Sequence, residues 1–114
     1  MATECLFCQI IAGHIPATVV YRDEHVLAIR DINPVAPTHV LLIPIRHLTS
    51  MTEVTAADAD LIAALQLTAI RLAAQEGLAQ GYRLVINTGP DGGQTVGHLH
   101  VHLMGGRAMH WPPG

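Results

Sequence analysis

Histidine and aliphatic residues alternate along His98-Leu99-His100-Val101-His102-Leu103-Met104. In a strand, side chains two apart share a face, so this order sets three imidazoles on one face and three aliphatics on the other. The rest of the chain is patterned as clearly. Leu6 to Ala12 reads as a short helix stopped by Gly13, with Pro16 blocking continuation. Thr18 to Tyr21 and His25 to Ile32 form a hairpin, with Val26, Ala28 and Arg30 on one side and Leu27 and Ile29 on the other. Asn33-Pro34 and Ala36-Pro37 break the chain, and the apolar run Thr38 to Ile43 predicts a strand buried on both faces.

Thr55-Ala56-Ala57-Asp58 has the spacing of a helix capping box. Leu61, Ile62, Leu65, Ala69 and Leu72 then follow a helical stripe, and Gly77 ends it. Tyr82 to Asn87 predicts a strand. A glycine-rich loop, Gly89 to Thr95, leads into the histidine segment, and the Gly- and Pro-rich tail Gly105–Gly114 is irregular. The class is α+β, with a mostly antiparallel sheet, one long helix and one short one. No repeat or linker divides the chain, so residues 1–114 read as one domain.

Composition narrows the chemistry. The chain has 114 residues, half of them apolar and 13% charged, with a net charge of −3. That excludes disorder and a basic nucleic-acid surface. There is no lysine, so Schiff-base, pyridoxal and P-loop chemistry are excluded. Met1-Ala2-Thr3-Glu4 has no basic or apolar signal character, and no apolar run reaches about 18 residues. The expectation is a cytoplasmic protein with no membrane partner. Cys5 and Cys8 stand too close to staple a fold, and their C-x-x-C spacing means zinc or redox chemistry or nothing. No thioredoxin-like βαβ pattern surrounds them, so redox fits poorly. Zinc wants four ligands, and His47 and His98 are candidates for the remaining two.

The histidine row admits two functional readings. An H-x-H pair can ligate a metal. Alternatively, one imidazole is a nucleophile that its neighbours orient. Hydrolases that use an H-x-H metal need carboxylates, and no acid follows Asp91, which favours the nucleophile. Gly92-Gly93-Gln94-Thr95 offers N–H groups without a Cβ to block approach, a hydroxyl and an amide, a combination suited to phosphate. Asp31 could hold ribose hydroxyls, and Asn87 could donate to the phosphate.

These residues together resemble the histidine triad (HIT) family. The flanks Asp31-Ile32, Ala36-Pro37-Thr38-His39, Gly81-Tyr82-Arg83, Asp91-Gly92-Gly93-Gln94, Gly105-Gly106-Arg107 and Met109-His110-Trp111-Pro112-Pro113-Gly114 are similar to its Hint branch, the nucleoside phosphoramidate hydrolases. The resemblance implies a HIT-like fold whose sheet continues across a homodimer. It implies that His100 attacks the α-phosphorus of an AMP-amine substrate, giving a covalent adenylyl-histidine that water releases as AMP. His102 would serve the phosphate, His39 would line the site, and Gly93, Gln94, Thr95 and Asn87 would hold phosphoryl oxygens. Asp31 would take the ribose and Ile32 the base. Bacterial members with a similar N-terminus bind structural zinc, which implies the set Cys5, Cys8, His47 and His98. Two alternatives are a nucleotide-binding interaction protein and a dinucleoside polyphosphate hydrolase of another branch; the tail argues against the latter. Thr95 stands where relatives carry Ser, and Gly97 where bulkier residues are common.

Overall fold

Five strands and two helices account for the regular structure of the computed structural model, which describes residues 5–114. The reading of Met1–Glu4 lies outside them. The first helix, α1 (Leu6–Ile11), is capped by Cys5, whose Sγ accepts from the Cys8 N–H. The hairpin strands are β1 (Val19–Arg22) and β2 (Val26–Arg30). Asp23 closes their turn by accepting from the His25 and Val26 N–H groups, both at 2.8 Å. All seven residues of β3 (Thr38–Pro44) are buried, as its continuous apolar run requires.

The Thr55–Asp58 capping box is present, and it opens a 3-10 turn that runs directly into α2 (Ala59–Gln75). A further 3-10 turn at Met51–Glu53 was not foreseen from the sequence. The last strands are β4 (Tyr82–Val85) and β5 (Val101–Gly105). The sheet order is β1-β2-β3-β5-β4, and every neighbouring pair is antiparallel.

The alternation of β2 and β3 divides the core between two faces. Val26, Ala28, Val40, Leu42, Val101 and Leu103 meet Leu65, Ala69 and Leu72 of α2. Leu27, Ile29, Leu41 and Ile43 meet Phe7 of α1 on the other side. Burying a leucine contributes roughly 1.5–3 kcal/mol, so the α2 face, with Leu42, Leu65, Leu72, Leu99 and Leu103, holds most of the fold. Arg30 and Glu76 add a two-pronged ion pair at 2.6 and 3.0 Å that ties the end of β2 to the end of α2.

Three strands are shorter than their apolar pattern suggests, and β2 keeps only Val26–Arg30 of the expected His25 to Ile32. β4 stops at Val85 rather than Asn87. β5 starts at Val101 rather than His98, so the first two histidines of the row precede the ladder. The β3–β5 register pairs Leu42 with Val101, and continuing it would set Leu99 against Pro44. Proline has no N–H for the Leu99 carbonyl, and its own carbonyl is engaged by His98 Nε2 at 2.9 Å. The Leu99 N–H turns instead to the Leu48 carbonyl at 2.7 Å. The facing of the side chains survives this. Leu99, Val101 and Leu103 all reach the α2 core, while Phe7 on the opposite side touches both His98 and His100 edge-on.

Candidate active site and metal centre

The histidine row serves two adjoining clusters. In the first, Cys5, Cys8, His47 and His98 bring four ligand atoms within 4.8 Å of one another. Cys5 Sγ lies 3.3 Å and His47 Nδ1 3.0 Å from His98 Nδ1, and Cys8 Sγ lies 3.3 Å from His47 Nδ1. His98 Nε2 sits 2.9 Å from the Pro44 carbonyl oxygen. A carbonyl oxygen only accepts, so Nε2 carries the proton and the Nδ1 lone pair points into the cluster. Burial, only partly offset by the Pro44 bond, holds His98 below its usual range, in the neutral form a metal needs. Burial and then the Cys5 thiol push the Cys8 thiol up, and a cation beside it would favour its thiolate. Two soft sulfurs and two imidazoles, with one lone pair already aimed inward, fit a tetrahedral zinc.

The second cluster, Asp31, His39 and His102, also brings its ligand atoms within 4.8 Å, but its protons are arranged differently. The Val35 N–H donates to His39 Nδ1 at 3.2 Å. His39 must therefore carry its proton on Nε2, which faces His102 Nδ1 at 2.9 Å and Asp31 Oδ2 at 3.4 Å. A metal at His39 Nε2 would need an imidazolate, so this set holds protons rather than a cation. His102 Nδ1 accepts, and its proton sits on Nε2. Burial first, then the charges of His100 and His39, lower His102 to about 4. Burial also lowers His39, against the pull of Asp31.

His100 lies between the two clusters. Its ring stands edge-on to Phe7 at 5.0 Å and to His102 at 4.9 Å between centroids. Its Nδ1 donates to the His98 carbonyl at 2.7 Å, so its Nε2 keeps a lone pair. Among the described residues no buried side-chain nitrogen or oxygen lacks a partner. The Nε2 atoms of His100 and His102 have none, so both reach the surface. One offers a lone pair and its neighbour offers an N–H.

The glycine-rich loop is shaped by its own bonds. Gly93 takes φ +78°, and a Cβ on Gly92 would meet the Thr88 carbonyl oxygen at 2.2 Å, so both positions demand glycine. The Gly93 and Gln94 N–H groups, read from sequence as phosphate donors, are engaged within the loop by the Pro90 and Gly89 carbonyls. The Gln94 amide is engaged too. It donates to Thr49 O at 2.7 Å and Val96 O at 3.0 Å and accepts from the Gly89 N–H. Asn87 Nδ2 braces the Gly92 carbonyl at 2.7 Å. The exposed residue of this stretch that still offers a hydroxyl is Thr95. Asp31 uses one carboxylate oxygen on the Asn33 N–H, and Ile32 beside it is 90% exposed. His14 and His25 are exposed at turns.

Sequence reasoning missed four contributors: Phe7, the Pro44 carbonyl, the His98 carbonyl and the Val35 N–H. The last three are main-chain groups and leave no side-chain signature. Phe7, between the two cysteines of the C-x-x-C spacing, could have been singled out as the apolar face of α1.

A comparison with protein families matches the HIT domain over residues 12–109. The chain belongs to the HIT domain family. It is 53% identical over 111 residues to a 14 kDa zinc-binding protein of Zea mays, covering 96% of this chain and 87% of the relative. It is 52% identical over 111 residues to Adenylylsulfatase HINT1 of Arabidopsis thaliana, covering 96% and 76%. The crystal structure of a HIT family hydrolase from Legionella pneumophila superposes with a TM-score of 0.96 at 53% identity, covering 97% of this chain and 100% of that one.

Proposed function

We propose that this protein is a nucleotide hydrolase that splits purine nucleoside 5'-phosphoramidates of the AMP-amine type, with His100 as nucleophile. The observation that carries the reading is the opposite protonation of two neighbouring rings. His100 is held with a free Nε2 lone pair, and His102 with an Nε2–H. The HIT hydrolase of Legionella and the adenylylsulfatase of Arabidopsis support hydrolytic chemistry at a nucleotide.

His100 Nε2 would attack the α-phosphorus, the P–N bond would break, and the departing amine would take a proton from water. The imidazole then bears a positive charge, which the Nδ1–H shares with the His98 carbonyl. His102 Nε2–H would donate to a non-bridging phosphoryl oxygen, as preorganised donors do for developing charge. A neutral imidazole suits that task and is a poor acid. Water would next add to phosphorus and expel His100, releasing AMP. Thr95 would add a hydroxyl donor, with Gly93, Gln94 and Asn87 shaping the loop. Asp31 would take ribose hydroxyls, with Ile32 against the base.

Cys5, Cys8, His47 and His98 would hold zinc, in keeping with the zinc-binding relative of Zea mays. A four-ligand site has no open position, so the ion would pin α1 to the approach of β5 and take no part in the reaction. The free edge of β4 has no strand partner among the described residues. Beside it a cleft of about 650 Å³ is lined by Leu78, Tyr82, Arg83 and Arg107, and α2 exposes Leu67 and Ile70. We read this surface as the face of a homodimer. No helix of the described residues is long and apolar enough to cross a membrane, and we assign the protein to the cytoplasm.

The Arabidopsis relative also favours a second reading, in which sulfate replaces the amine on the same adenylyl group. Adenosine 5'-phosphoramidate and adenylyl sulfate, given in parallel to wild type and His100→Ala, decide the matter. AMP release from the phosphoramidate that vanishes in the variant supports the first reading. Equal rates in both proteins refute the nucleophile.

A further inference from the structure

Residue 35 is where the C-terminal tail meets the histidine pair. Arg107, two residues past β5, donates from Nε to the Val35 carbonyl at 2.9 Å. The Val35 N–H donates to His39 Nδ1 at 3.2 Å, and His39 Nε2–H faces His102 Nδ1 at 2.9 Å. Four residues are thus linked in series, from an exposed arginine to a ring beside the nucleophile.

The direction of that series is set at one end. Two neutral imidazoles in contact have two consistent proton arrangements. Either both carry the proton on Nε2, or both carry it on Nδ1. In the second, His102 Nδ1–H would donate to His39 Nε2, and the Nε2 of His102 would present a lone pair. A lone pair there repels a phosphoryl oxygen. The Val35 N–H excludes this arrangement, because His39 Nδ1 cannot carry a proton while it accepts one. Asp31 Oδ2, 3.4 Å from His39 Nε2, leans the pair toward the first arrangement, and the main-chain donor closes off the second.

We propose that Val35, through its main-chain N–H, and Arg107, through its hold on the Val35 carbonyl, are positioning residues that fix the donor tautomer of His102. The proposal rests on the reading of His102 as a donor to the phosphoryl group. It assigns the Gly106-Arg107 turn a task in the reaction although neither residue touches the reacting atoms.

The test is nitrogen-15 NMR of histidine-labelled protein, with no substrate and at neutral pH, on wild type, Arg107→Lys and Arg107→Ala. Long-range couplings between ring protons and nitrogens report which nitrogen is protonated. In wild type His39 and His102 should carry the proton on Nε2 alone. In Arg107→Ala a second tautomer should appear in both rings, at about a tenth of the population or more. Its kcat should fall about tenfold with KM little changed, and Arg107→Lys should recover part of the loss. Protonation of His102 on Nδ1 in wild type overturns the proposal, and that reading needs no variant to fold. So does a fall in kcat with both tautomers unaltered, which would mark Arg107 as a tail anchor only. If the tautomers respond as stated but no form of the protein hydrolyses adenosine 5'-phosphoramidate, the proposed function fails and the positioning role stands.

Discussion

The His98 carbonyl oxygen lies 2.7 Å from His100 Nδ1, so the residue that lends its ring to the Cys5–Cys8 cluster also fixes the proton on the proposed nucleophile. Loss of the metal would therefore loosen the support of His100 as well as α1. Zinc analysis of purified protein should give about one ion per chain, and Cys5→Ser should lose it. Chelation should lower the thermal midpoint by roughly 10 °C, on the scale of about 2 kcal/mol for a domain of this size. A midpoint that ignores chelation would count against the site.

The two exposed ring nitrogens should fail differently. His100→Ala removes the lone pair and should cost about a thousandfold or more in kcat on adenosine 5'-phosphoramidate. His102→Ala removes a donor to developing charge, a loss of about a hundredfold to a thousandfold. His102→Gln keeps an N–H and should lose less than His102→Ala. Equal losses in both His102 variants would show that the donor is not what matters there.

Gly92 is a steric requirement of the loop. Gly92→Ala places a Cβ 2.2 Å from the Thr88 carbonyl oxygen, which cannot give way without moving the Asn87–Thr95 turn. AMP binding measured by calorimetry should weaken about tenfold, while the thermal midpoint moves by only a few degrees. Unchanged affinity would remove this loop from the nucleotide site.

Buried neutral histidines make the fold sensitive to acid. Burial lowers His39, and burial with the charges of His100 and His39 lowers His102 to about 4, against 6.5 for the free side chain. Above 6.5 both rings are neutral folded or unfolded, and stability is full. Below that value the unfolded chain takes up protons that the folded protein refuses, so stability falls until about 4. Urea midpoints at constant metal load should drop between neutral pH and about pH 5, and His102→Gln should flatten the slope. A level profile in wild type would contradict the burial argument.

The exposed face of α2 offers a direct test of assembly. Leu67 is 62% and Ile70 52% exposed, one turn apart. Sedimentation of wild type should report a dimer, and Leu67→Glu should shift it to monomer. Monomeric wild type would refute the proposed face.

Much of this was legible in the chain. The strict alternation of His98 to Leu103 fixed which residues face α2, even though the ladder begins only at Val101. The apolar run of β3 and the Thr55–Asp58 cap were equally plain. What escaped were the main-chain groups that set protons: the carbonyls of Pro44 and His98 and the N–H of Val35. They have no side-chain identity, and folding alone brings them to the rings. The same reason hid the inward bonds of Gly93 and Gln94, which a glycine-rich spelling does not distinguish from open donors.

One feature of the sheet bears on how the site moves. His39 stands on β3, the middle strand and the one buried along its whole length. His100 stands just ahead of β5, where the ladder has not yet begun. Amide exchange in such a sheet is slowest at the centre and fastest beyond the last rung. The proposed donor ring is thus tied to the strand that opens last, while the proposed nucleophile stands on a segment held by bonds to the Pro44 and Leu48 carbonyls rather than by the ladder.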